Sequence, residues 1–105
     1  MNFEGQVRPL PEDPNDALLN ALRHPLRRSL LRRYVQAKEL LSPKELASLT
    51  KQPLSSVSYH VRQLVKAGAV EIVAEEQVRG SVQHFYEATQ LVKETPWVLA
   101  TLGLN

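Results

Sequence analysis

The chain has 105 residues, a net charge of +2, 43% hydrophobic and 23% charged residues, the balance of one modest globular domain. It has no cysteine, which excludes disulfides, thiolate metal sites and a cysteine nucleophile. No apolar run approaches the roughly 18–20 residues of a membrane span, and "MNFEGQVRPLPEDPND" has no signal-peptide stretch, so a cytoplasmic protein without a membrane partner is expected.

Residues 1–12, with Pro9 and Pro11 and no apolar period, read as a flexible N-terminal arm. Asp13-Pro14 then starts a helix, with Asp13 as N-cap and Leu18, Leu19 and Leu22 on its apolar face. His24-Pro25 ends that helix, because a residue before proline is pushed out of the α region. Pro25 opens a second helix with a stripe of Leu26, Leu30, Leu31, Tyr34 and Val35, flanked by Arg27, Arg28, Arg32 and Arg33. In "SPKEL", Ser42 caps, Pro43 takes the first position and Glu45 completes a capping box. This third helix is short, with Leu46, Ala47 and Leu49 expected inside.

A fourth helix is expected from Ser55, a few residues later, to a glycine stop at Gly68. The period then changes to two: Val70, Ile72 and Ala74 alternate with Glu71, Val73 and Glu75, as in a half-buried strand. "VRGSV" at 78–82 supplies a turn and "VQHFYEAT" a returning strand. Thr95-Pro96 starts a last helix through about Leu102, stopped by Gly103. The order is helix-helix-helix-helix-hairpin-helix, mostly α with a small β-hairpin. It divides into the arm at 1–12, a core domain at 13–90 and a C-terminal helical segment at 91–105.

The charge is unevenly spread. Residues 23–66 hold ten Lys/Arg against Glu39 and Glu45, while both flanking segments are net acidic. A basic middle between acidic ends suits a polyanion. On a wheel of 100° per residue, Val57, Val61 and Leu64 of the fourth helix share an arc, with Val65 beside it. Ser55, Tyr59, Arg62 and Lys66 gather opposite, with Ser56 and Gln63 at one edge and Ser58 and His60 on the flanks. No acidic residue lies between Leu54 and Gly68. A solvated helix face usually mixes signs, whereas a face approaching phosphates avoids carboxylates. Small serines at its start leave backbone N–H groups accessible to a phosphate. Arg62 and Gln63 can reach base edges in a major groove, and Lys66 suits solvent or a phosphate. A short helix, a tight turn and a helix of this kind make a helix-turn-helix. The hairpin would be its wing, with Arg79 at the tip.

"LRHPLRRSLLRRY", "LSPKELASLT", "SSVSYHVRQLVKAGAV" and "VRGSVQHFYEAT" resemble the ArsR-like winged helix-turn-helix transcription regulators, over about residues 18–89. The resemblance implies a homodimer on double-stranded operator DNA, commonly a repressor. It implies DNA contacts from Ser55, Ser56, Ser58, Tyr59, Arg62 and Gln63, with Lys44 and Arg79 on phosphates or the minor groove. It places the dimer interface on the first and last helices, here Leu18, Leu19, Leu22, Leu91, Trp97, Val98 and Leu102. Metal-sensing members carry a cysteine cluster in the helix matching Pro43–Lys51, or His and acidic ligands on the C-terminal helix. This chain has no cysteine and no histidine after His84, so no metal and no cofactor is expected, and a small-molecule effector is left open.

Two other readings stand beside this one. A winged helix can be a protein-interaction module whose basic face meets an acidic partner. An enzyme is not expected, because no nucleophile with an orienting base, carboxylate dyad or phosphate-cradling glycine loop occurs. His24 and His84 lack metal-ligand spacing, and His60 reads as a partly buried histidine hydrogen-bonded to backbone.

Overall fold

The computed structural model describes residues 13–104, and the arm expected at 1–12 lies outside them. Six helices and one antiparallel hairpin follow in the order α1 (Pro14–Ala21), α2 (Pro25–Gln36), α3 (Pro43–Thr50), α4 (Leu54–Lys66), β1 (Val70–Val78), β2 (Ser81–Ala88), α5 (Gln90–Lys93) and α6 (Pro96–Thr101). Proline opens α1, α2, α3 and α6, where its missing N–H costs nothing and its fixed φ suits the first turn.

The caps are specific. Asp13 accepts from the Asn15 N–H at 2.8 Å. Ser42 Oγ accepts from the Glu45 N–H at 3.3 Å and donates to Glu45 Oε1 at 3.0 Å. His24, more than a helix breaker, caps α2: its Nδ1 accepts from the Leu26 N–H at 3.2 Å. Gly68 ends α4 at φ 77°, and the Ala69 N–H reaches back to the Leu64 carbonyl at 2.9 Å. That left-handed conformation is cheap only for glycine.

Leu18, Leu30, Leu31, Leu46, Val57 and Leu64 form the centre of one core, joined by Val70, Val92 and Val98. Each such side chain contributes about 1.5–3 kcal/mol on burial. Leu49 departs from expectation, being 52% exposed. Helix α3 packs through Leu46 and the small Ala47, and residue 49, a further 200° around from Ala47, is turned to solvent.

The hairpin is buried only at its base, where Val70 pairs with Ala88. A register shift between Ile72 and Ala74 interrupts the ladder. Such a bulge resets the alternation of faces. The expected inward set Val70, Ile72, Ala74 is therefore broken: Ile72 is 46% exposed and Val73 41%. The base is pinned from two sides. The Tyr86 N–H donates to the Leu41 carbonyl at 3.0 Å, and Thr89 Oγ1 donates to the Gly68 carbonyl at 2.7 Å.

The C-terminal segment is two short helices rather than one. Helix α5 is a single turn, and the break before Pro96 starts α6. Proline at 96 cannot continue α5, so Thr95 takes an extended conformation at ψ 97°. Gly103 ends α6 at φ 74°. No helix among the described residues is long and apolar enough to cross a membrane.

Candidate nucleic-acid interface

Helices α3 and α4 are joined by only Lys51, Gln52 and Pro53. Lys51 takes a left-handed φ of 56°, which closes the turn sharply. Helix α4 begins directly after Pro53 and has no side-chain cap. The Val57 N–H bonds to the Pro53 carbonyl, and the preceding helix donors are left to whatever approaches. Val57, Val61 and Leu64 are at most 1% exposed, so one face of α4 is locked into the core. Val65, expected beside them, is 41% exposed.

The opposite face is divided. Lys44, Ser58 and Arg62 line a groove of about 470 Å³ between α3, α4 and the hairpin, with Ser81, Gln83 and Tyr86 on its far wall. Gln63 and Lys66 line a shallower groove of about 170 Å³ against α1 and Arg27 of α2. Ser55 is exposed, Ser56 half-buried, and Tyr59 47% exposed. Arg79 and Gly80 form the two-residue hairpin loop, with φ 47° and 82°. Two positive φ values are those of a type I′ turn, which matches strand twist. Arg79 thus stands at the tip, away from the basic groove residues.

Sequence reasoning missed a cluster beneath α4. His60 is 8% exposed. Its Nδ1 accepts from Arg27 Nε at 3.0 Å, so its partner is a side chain rather than the backbone expected. The His24 ring lies 4.2 Å from it, and the Tyr59 ring meets it edge-on at 5.1 Å. Burial, then His24 and Arg27, hold the His60 pKa below its ordinary value. The cluster fixes the side of Tyr59 that faces the protein. Only the joint pattern of His24 capping α2 and His60 on the flank of α4 hinted at it.

The arginines of α2 are also employed internally. Arg28 donates to the Leu22 carbonyl at 2.7 Å and Arg32 to the Leu102 carbonyl at 3.1 Å, each satisfying the C-terminal end of another helix. Much of the basic segment therefore braces the scaffold, while Lys44, Arg62 and Lys66 remain exposed.

The residues expected at a dimer interface separate in the same way. Leu18, Leu22, Val98 and Leu102 are at most 4% exposed and belong to the chain's own core. Leu19 is 51% and Leu91 38% exposed. Trp97 packs against the core and its Nε1 donates to Asn15 Oδ1 at 3.1 Å, tying α6 to α1 within one chain.

A short helix, a three-residue turn, an acid-free second helix and a hairpin beside it together make a winged helix-turn-helix. A family model described as a helix-turn-helix domain matches residues 22–73. The match covers α2 through α4 and the start of β1, and the fold around it is that of the winged helix-turn-helix regulators. Among solved structures, this winged helix-turn-helix protein is similar to reduced HlyU from Vibrio cholerae, with 25% identity, a TM-score of 0.64, and coverage of 87% of this chain and 83% of that one. It is also similar to a homodimeric winged helix-turn-helix DNA-binding domain from Mycobacterium bovis. That domain is fragment 1–100 of Mb0332, described as a possible ArsR-family transcriptional regulator. There the identity is 20%, the TM-score 0.63, and the coverage 88% of this chain and 74% of that one. No curated protein matches the winged helix-turn-helix chain at a significant level. Its architecture is the one used by DNA-binding transcription regulators.

Proposed function

We propose that the protein is a sequence-specific DNA-binding transcriptional repressor that acts as a homodimer. Helix α4 lies in the major groove, with Arg62 and Gln63 at base edges and Ser55, Ser56, Ser58 and Tyr59 at the backbone. Lys44 and Lys66 meet phosphates, and Arg79 enters the adjacent minor groove, whose negative potential attracts arginine. The observation that carries this reading is the exposed face of α4: free of acid, uncapped at its start, and bordered by a groove holding Lys44, Ser58 and Arg62. A DNA backbone strand seated there meets cations on one side and the helix N-terminus at its end.

Residues 13–90 form the DNA-binding unit in this reading, and 91–105 contribute to pairing. The pairing surface is built from what α1, α5 and α6 leave outside, namely Leu19, Leu91 and the exposed edge of Trp97. The homodimeric state of the Mycobacterium bovis domain supports this.

Selection of bound sequences from a random DNA pool tests the proposal. It should recover a pseudo-palindrome with half-sites one helical turn, about 10–10.5 bp, or a multiple apart. Failure to enrich any sequence at low salt would favour the other reading, a basic winged helix that docks on an acidic protein.

A further inference from the structure

A cavity away from α4 has about 410 Å³, within the roughly 300–1,000 Å³ of small-molecule sites. It lies between the end of α2, the connection 37–40, the end of β2 and α5. Its apolar side comes from Tyr34, Val35, Leu40 and Tyr86. The two tyrosine rings meet edge-on with centroids 6.5 Å apart, leaving a firm aromatic wall. Four charged side chains surround it: Lys38, Lys93, Glu39 and Glu87. Among the described residues none of the four is in an ion pair; the single pair found is His84 with Glu75 at 3.5 Å, elsewhere on the hairpin.

Tyr34 is 3% exposed and its hydroxyl is the one buried side-chain polar atom, among the described residues, without a hydrogen-bond partner. A buried polar group left unpaired is costly and calls for an explanation. Tyr86 lines this cavity and also the groove beside Ser58 and Arg62. One side chain therefore belongs to both walls, and its backbone N–H is held by the Leu41 carbonyl. Whatever fills the cavity presses on a residue that shapes the groove.

We propose that this cavity binds a small zwitterion of the free amino-acid type with an apolar or aromatic side chain, and that its occupancy changes DNA binding through Tyr86. The carboxylate meets Lys38 and Lys93, the ammonium meets Glu39 and Glu87, and the side chain lies on Tyr34 and Tyr86. Two unpaired cations and two unpaired anions match a ligand carrying both signs better than a plain acid or a plain amine. Binding stands independently of the function proposed above; the change in DNA binding rests on it.

The test titrates the intact protein with L-phenylalanine, phenylacetate and phenethylamine, followed by calorimetry and amide NMR shifts. L-Phenylalanine should bind saturably, at least tenfold tighter than either single-charge analogue, with shifts at 37–40, 86–87 and 93. The double variant Lys38→Ala/Lys93→Ala should weaken it at least tenfold while its thermal unfolding midpoint stays unchanged. The shifts should extend to Ser58 and Arg62, and saturating ligand should change affinity for a selected DNA site at least threefold. No saturable binding by any of the three probes, or binding untouched by the double variant, overturns the site. Binding without any change at Ser58, Arg62 or DNA overturns the coupling through Tyr86. If the protein selects no DNA, the function proposed above fails while the titration still decides the site.

Discussion

Helix α4 and the hairpin that follows it are neighbours with opposite designs. From Leu54 to Gly68 the chain carries no acid, and its inner face is sealed by Val57, Val61 and Leu64. The hairpin carries Glu71, Glu75, Glu76 and Glu87 along its strands, is buried only at its base, and exposes Ile72, Val73 and Val82. Its single cation, Arg79, stands at the tip. Like charges repel a polyanion, so only the tip of the hairpin suits a phosphate, whereas the whole outer face of α4 does. Tight packing and an acid-free cationic face thus belong to the helix, and the hairpin supplies reach.

The difference in packing is the easiest to break. Leu64→Ala should lower the unfolding free energy by about 2–5 kcal/mol, whereas Val82→Ala, at a half-exposed site, should change it by about 0.5 kcal/mol or less. Chemical denaturation of both variants checks this. Comparable losses at the two sites would mean that the hairpin is packed as firmly as the helix.

The next effect comes from pH. His60 uses Nδ1 as an acceptor from Arg27, and its protonation would set a donor against a donor and a charge against Arg27. His60 is held below its ordinary pKa by burial, His24 and Arg27, with Tyr59 the remaining titratable group against it. The unfolded chain, with histidine near pKa ~6.5, then binds protons that the folded chain refuses. Stability should be level above about pH 6.5 and decline as pH falls toward the lower folded value. His60→Gln, which keeps an acceptor for Arg27, should remove most of that decline in thermal melts across pH.

Smaller effects separate the hairpin tip from its strands. Arg79→Ala should weaken DNA binding several-fold and reduce the logarithmic salt slope by about 0.9, as expected for one phosphate-neutralising charge. Glu75→Gln with Glu76→Gln should do little, tightening binding by about twofold at most through reduced repulsion at low salt. Fluorescence anisotropy over a salt series measures both. A larger effect from the two glutamates than from Arg79 would invert the assignment of tip and strand.

Much of this was legible in the sequence wherever a local rule governs. Asp13-Pro14, Pro25, the Ser42–Glu45 box, Gly68 and the turn at Arg79-Gly80 act through their own backbone geometry, and each element they bound is present. The acid-free face of α4 was equally legible, because wheel position and charge need no tertiary information. What escaped depends on contacts distant in the chain. Leu49 is exposed because α3 turns Leu46 and Ala47, not Leu49, toward the core. Ile72 is exposed because a bulge shifted the register. The separate turn α5, ahead of the expected start at Thr95-Pro96, goes with the burial of Val92 in the core. His60 found Arg27 and His24, and Arg28 and Arg32 found helix ends; no periodicity announces such pairings. At the site, the division of α4 into a wing side with Arg62 and a side with Gln63 and Lys66 required the positions of β2 and α1.

If the outer face of α4 reads DNA sequence, the double variant Arg62→Ala/Gln63→Ala removes the reading side chains while leaving the scaffold in place. Affinity for a selected site and for scrambled DNA should be measured side by side with the unmodified protein. Each base contact removed should cost about 1–3 kcal/mol, confined to the selected site and accompanied by relaxed preference at the contacted positions. Unchanged affinity and selectivity, in a variant that melts like the parent, would contradict sequence reading by α4.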